Sequence, residues 1–179
     1  LDMPNKITTQ AVYVDTYYGI VDGIYGEGSQ NYQLPTIENR TLEWEITKRQ
    51  LSLSWNQPEL VYNGNLQGAT LTISNIILGD EIRLAADLSG LTTSGGSVNI
   101  QDIIITTDGG ESYEFDFNYT SQAGNYLAEV TRLVSDYGQS DNYEIVGNNE
   151  KSYSIAKRQI ILDWIREEID NWDGFNTVY

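Results

Sequence analysis

Two stretches of the chain, far apart in sequence, carry one and the same signature. Lys48-Arg49-Gln50 aligns on Lys157-Arg158-Gln159, and the same gapless alignment sets Ile46 on Ile155 and Trp55 on Trp164. A period of that kind constrains the fold more than any single motif, because each copy must be a supersecondary unit or a domain. A period of about 109 residues suits a two-sheet β domain. The period divides the chain into residues 1–48, the later part of one repeat; 49–157, a complete repeat; and 158–179, the start of a further repeat with an insertion.

The first part echoes the second half of the complete repeat. Gln10-Ala11, Tyr25-Gly26, Asn31-Tyr32 and Leu34 parallel Gln122-Ala123, Tyr137-Gly138, Asn142-Tyr143 and Ile145, with small drifts in spacing. Between Thr41 and Thr47, Leu42, Trp44 and Ile46 alternate with Glu43 and Glu45, the pattern of a half-buried antiparallel strand.

The complete repeat reads as strands throughout. Leu51, Leu53 and Trp55 alternate with serines; Leu71 and Ile73 alternate with Thr70, Thr72 and Ser74 and run on into Ile76-Ile77-Leu78. Gly79-Asp80 marks a turn before the face of Ile82, Leu84 and Ala86. Residues 89–97, rich in Gly, Ser and Thr, read as a loop ahead of a strand at 100–107, and Asp108-Gly109-Gly110 reads as a hairpin turn. Tyr113, Phe115, Phe117 and Tyr119 face inward and Glu114, Asp116 and Asn118 outward; strands follow at 126–134 and around Tyr153 and Ile155. Seven strands in one period predict an all-β fold, immunoglobulin-like β-sandwich repeats in tandem. Tyr126, after Ala123-Gly-Asn, stands where a tyrosine corner would tie its hydroxyl to nearby backbone. In the tail, apolar residues at 161, 165, 169 and 172 have helical spacing, which predicts a short helix near the C-terminus.

Composition narrows the function. Thirteen tyrosines and four tryptophans favour strands. A net charge of −16 lacks the basic footprint of a nucleic-acid binder and opposes docking on anionic membranes. There is no cysteine and no histidine, which removes disulfides, thiolate nucleophiles, the usual zinc ligands and the commonest general base. No apolar run reaches the length of a membrane span. No signal peptide is visible, and because the chain opens on Leu1 a targeting segment can precede it.

Candidate sites are few. Asp108 and Glu111, with the outward row Glu114, Asp116 and Asn118, offer oxygen ligands for calcium. Alternate strand residues lie nearly 7 Å apart, however, too far for several to share one ion unaided. Glu167, Glu168, Asp170 and Asp173 fit a solvated helix face better than a catalytic acid pair. Tyr17, Tyr18 and Tyr25, in a Gly-punctuated stretch, are the aromatics best placed to stack on a sugar or another ligand, the alternative being that they pack the first half-domain.

The chain also resembles a known group, the tandem Ig-like repeats of bacterial surface proteins of the YDG/MBG type. The matching stretches are Val61-Tyr62-Asn63-Gly64, Gly79-Asp80-Glu81-Ile82-Arg-Leu84, Ala123-Gly-Asn-Tyr126, Asn142-Tyr143, and Ser152-Tyr-Ser-Ile155 running into Lys157-Arg158. Asn63 stands where the name-giving motif has aspartate, and the insertion after Trp164 departs from the pattern. The resemblance implies secreted, wall- or envelope-attached proteins whose repeats form stalks or adhesive segments, with no catalytic residue and no cofactor. The expectation is therefore a non-enzymatic extracellular repeat with neighbouring repeats as partners and head-to-tail self-association at its incomplete ends. The alternatives are a module that binds a glycan or a host protein, and an accessory domain of a carbohydrate-active enzyme.

Overall fold

The computed structural model describes residues 6–135 and 139–164. Strands dominate it. The first two, β1 (Asp15–Ile20) and β2 (Thr41–Ile46), form a two-stranded antiparallel sheet of their own. Between them, residues 21–40 make two short 3-10 turns, Ser29–Asn31 and Ile37–Arg40.

The remaining nine strands build two sheets. One has the order β10-β3-β5-β8, from β10 (Tyr143–Val146), β3 (Arg49–Asn56), β5 (Thr70–Ser74) and β8 (Ser112–Asp116). The other runs β4-β11-β9-β6-β7, from β4 (Leu60–Val61), β11 (Glu150–Ala156), β9 (Gly124–Leu133), β6 (Arg83–Thr92) and β7 (Ser97–Thr106). Neighbours pair antiparallel except at two places, β10 on β3 and β4 on β11, which are parallel. Inward residues of both sheets meet in one core, with Leu51, Leu71, Ile73 and Phe117 from one layer and Leu84, Leu88, Val130 and Ile155 from the other. The alternation read from the sequence at 51–55 and 70–74 sets these faces, since a one-residue slip would turn every apolar side chain to water.

Several expectations are corrected. Among the described residues the unit has nine strands rather than seven, because the short β4 and β10 extend the sheets at their edges. Most of 89–97 is strand: β6 continues to Thr92, and only Thr93–Gly96 turn the chain into β7. Gly90 is required there, because a Cβ at that position would lie 2.3 Å from the Tyr126 ring and 2.5 Å from the Asn125 carbonyl. Asp108-Gly109-Gly110 is not a hairpin; it carries the chain from β7 in one sheet to β8 in the other. Its Gly109, at φ 81°, accepts the Gly79 amide at 2.7 Å, so the two loops brace each other. β8 ends at Asp116, Phe117 is buried and Tyr119 is exposed. Leu42, Ile77 and Leu78 are exposed as well. The helix expected after Trp164 lies outside the described residues.

Tyr126 makes the predicted corner. Its hydroxyl donates to the Gln122 carbonyl at 2.7 Å, tying the start of β9 to the loop before it. Its ring lies 5.4 Å from that of Tyr153, the residue opposite it on β11.

Candidate functional site

The β1–β2 sheet reproduces the β9–β11 pair. Asp15 pairs Ile46 and Tyr17 pairs Trp44; one period on, Gly124 pairs Ile155 and Tyr126 pairs Tyr153. Side chains follow the backbone. Tyr17 stacks on Trp44 at 4.8 Å, as Tyr126 lies on Tyr153, and its hydroxyl donates to the Tyr13 carbonyl at 2.7 Å, again four residues back. Ser29–Asn31 and Ser140–Asn142 are matching 3-10 turns, each closed by the amide of the following tyrosine on its serine carbonyl.

Only two residues, Thr47 and Lys48, separate β2 from β3. Arg49 then pins the start of β3. Its Nε donates to the Asn75 carbonyl at 2.8 Å and a terminal nitrogen to Asn75 Oδ1 at 2.7 Å, while Asn75 Nδ2 donates to the Gln50 carbonyl at 2.6 Å. Asn75 holds a left-handed backbone, φ 69°, to close this loop. The Lys-Arg-Gln signature thus marks a junction. A cleft of about 480 Å³ lies there, walled by Val12, Tyr13 and Ile46 on one side and by Ile77, Asp80 and Tyr143 on the other. The Val14 amide crosses it to Asn142 Oδ1 at 2.9 Å. On the far wall the Tyr143 hydroxyl donates to Asp80 Oδ2 at 2.6 Å, and burial followed by this carboxylate raises its pKa.

At the opposite end of the layers the second signature leaves β11. A smaller cleft there is lined by Ala123, Lys157, Arg158, Gln159 and Ile160, together with Tyr62. Ala123 and Arg158 stand one period beyond Val14 and Arg49, which line the first cleft. Ile160, Ile161, Leu162 and Trp164 beyond it are exposed.

The three candidate tyrosines do not converge. Tyr17 is buried on Trp44. Tyr18, next along the strand, faces the opposite way, and the Glu43 carboxylate across the ladder raises its pKa. Tyr25 is exposed in the 21–40 connection, its ring lying against Gly23. Among the described residues no three acidic side chains gather around a cation-sized space. Asp108 Oδ1 accepts the Gly110 amide, and Asp116 Oδ1 accepts the Thr70 hydroxyl at 2.6 Å. Glu167, Glu168, Asp170 and Asp173 lie outside the described residues. A shallow groove on the outer face of the five-stranded sheet, lined by Ser89, Asn125, Ser152 and Ser154, had no sequence signal beyond outward serines.

No helix among the described residues is long and apolar enough to cross a membrane. No family model, curated protein or solved structure matches the chain.

Proposed function

We propose that this chain is a segment of a tandem array of immunoglobulin-like units on a bacterial surface protein, a non-enzymatic extracellular spacer that holds an adhesive end away from the cell. The observation that carries the reading is the β1–β2 pair, which matches β9–β11 in register, aromatic stack and tyrosine tie, all at the single period of the Lys-Arg-Gln signature. The layer order supports the Ig-like part of it. The main strands β3, β5 and β8 form one sheet and β6, β7, β9 and β11 the other, with the tyrosine corner opening β9, as in that architecture.

The junction supports the spacer part. A two-residue connection, the Arg49 clamp and the Val14–Asn142 bond leave no Gly/Ser hinge between successive units. The parallel pairs β10–β3 and β11–β4 make the chain enter at Arg49 and leave at Ala156 at opposite ends of the layers, about 40 Å apart at the rise of extended strands. Units joined in this way extend a rod by one unit length per copy. The test is to fuse one to six copies of residues 49–157 between a surface anchor and a fluorescent epitope and measure the epitope's height. Height rising linearly, by about 40 Å per copy, is expected of a rod. Growth as the square root of copy number, the behaviour of a flexible chain, would refute the spacer reading.

A further inference from the structure

We infer that Asn63 is a self-modification site: with no enzyme, its carboxamide closes on the Gly64 amide, loses ammonia and opens in water to a mixture of aspartyl and isoaspartyl residues. The closure lies within one residue pair of the complete unit, so it needs no partner and nothing from whatever adjoins this end of the layers.

Only one pair in the chain suits this chemistry. Of all the asparagines, Asn63 alone is followed by glycine. A side chain on the following residue crowds attack on the carboxamide, and glycine has none. Gly64 holds φ 86°, and a Cβ placed there would meet nothing within 4 Å. Its amide donates to no acceptor among the described residues, so the nucleophile is both unshielded and free.

The fold hangs the pair between two fixed points. The Tyr62 amide donates to the Ala156 carbonyl at 2.9 Å, where β4 ends, and the Gln67 amide donates to the Thr120 carbonyl at 2.8 Å. Residues 63–66 between them are exposed and in neither helix nor strand. Within this loop Asn63 Oδ1 accepts the Asn65 amide at 2.9 Å. The turn folds the carboxamide back along the main chain towards the Gly64 nitrogen. It also aims an N–H at the oxygen that gains negative charge as the ring closes, where a fixed donor lowers the barrier.

Other asparagines lack this combination. Asn75 precedes the β-branched Ile76, and its carboxamide is bonded on one side to Arg49 and on the other to the Gln50 carbonyl. Asn142 Oδ1 holds the Val14 amide, and Tyr143 follows it. Asn56, Asn99 and Asn125 are held extended in β3, β7 and β9. Asp108 makes a similar turn on the Gly110 amide and precedes Gly109, but an ionised carboxylate is a poor target for an amide nitrogen.

The step balances without an oxidant or a cofactor. Hydroxide takes the Gly64 amide proton, and the nitrogen bonds to Asn63 Cγ. The bond from Cγ to Nδ2 breaks, and Nδ2 leaves as ammonia with a proton from water. Water then adds to either carbonyl of the cyclic imide. Addition at Cγ restores the main chain and gives an aspartyl residue. Addition at the main-chain carbonyl gives an isoaspartyl residue, whose backbone runs through the side-chain carbon. Each conversion adds one negative charge beside Tyr62, which lines a cleft with Lys157 and Arg158. The anchors at Tyr62 and Gln67 keep the change within the loop.

The test incubates the full-length chain at mildly alkaline pH in heavy-oxygen water, returns it to ordinary water and cuts it with trypsin. Cleavage after Arg49 and Arg83 releases residues 50–83, which carry Asn56, Asn65 and Asn75 as internal controls. Heavy oxygen is expected at position 63 alone, in both aspartyl and isoaspartyl products. Its rate should rise in proportion to hydroxide and lie within a few-fold of the rate in urea-unfolded chain. Gly64→Ala should slow it several-fold. Asn63→Gln, which must close a larger ring, should abolish it over the same time, with circular dichroism showing both variants folded. Labelling at position 63 in urea but none in the folded chain would overturn the inference, because the loop would then hold the pair apart. So would an aspartyl product without the isoaspartyl one, which marks direct hydrolysis, or equal labelling at Asn65 or Asn75. Each of these results would leave the spacer reading standing, since that is read from the height of linked copies.

Discussion

Tyr126 and Tyr153 are neighbours on one sheet, with similar burial and opposite accounts at the hydroxyl. The Tyr126 hydroxyl donates to the Gln122 carbonyl at 2.7 Å. The Tyr153 hydroxyl is buried and, among the described residues, has no hydrogen-bond partner. Removing the first, as Tyr126→Phe, deletes a hydrogen bond and strands a carbonyl at the corner, a loss of about 1–2 kcal/mol. Removing the second, as Tyr153→Phe, deletes an uncompensated polar group whose burial costs on the order of 1 kcal/mol, so the variant should be as stable as the parent or more so. For a unit of this size, 1 kcal/mol corresponds to a shift of roughly 4 °C in melting temperature. Calorimetry of both variants at neutral pH is the assay, with denaturant titration to check that the m-value is unchanged. A loss above about 1 kcal/mol in Tyr153→Phe, equal to that in Tyr126→Phe, would refute the reasoning, because it would mean both hydroxyls are bonded in the folded protein.

Other expectations follow from the same core and junction. Phe117→Ala should cost roughly 3–5 kcal/mol in denaturant unfolding, for its ring is fully buried between Trp55 and Phe115; Phe115→Ala, at a half-buried site, should cost clearly less. Alkali should destabilise the unit. Burial, with Tyr126 beside it, lifts the Tyr153 pKa from 10.0 to about 12, and Tyr143 is raised too. Because the folded state favours the protonated form, this stability is fully present below about pH 10 and is lost as pH climbs towards 12; Tyr153→Phe should flatten that limb in a pH series of melting curves. Arg49→Ala should release Asn75 and loosen the start of β3, seen as faster amide exchange at 50–52 with the core near Val130 unaffected.

Much of this architecture was legible in the residues. Strand phase at Leu51–Trp55 and Leu71–Ile73 follows from alternation alone, and the tyrosine corner from a tyrosine placed just after a glycine turn. The failures have physical causes. Residues 89–97 are poor in apolar side chains, so local propensity argued for loop, yet β6 is held between β7 and β9, and Gly90 is there because the Tyr126 ring leaves no room for a Cβ. Asp108-Gly109-Gly110 has hairpin chemistry, but turn residues set a local reversal and do not say which sheet receives the next strand. The parallel β10–β3 pair joins stretches far apart in sequence through a short ladder, too short for any periodic signal. At the candidate surfaces, the repeated Lys-Arg-Gln pointed to a junction, but the unequal exposure of Tyr32 and Tyr143 needed the partner strand of each to be known.

In the proposed array, units one period apart meet through the same junction each time. Two copies of residues 49–157 joined directly, with no added linker, put this to nuclear magnetic resonance. The Val14–Asn142 bond should recur one period later, so the amide proton of Ala123 in the first copy should show a nuclear Overhauser contact to the Asn142 side chain of the second, with both copies tumbling as one body. Independent tumbling and no such contact would contradict it.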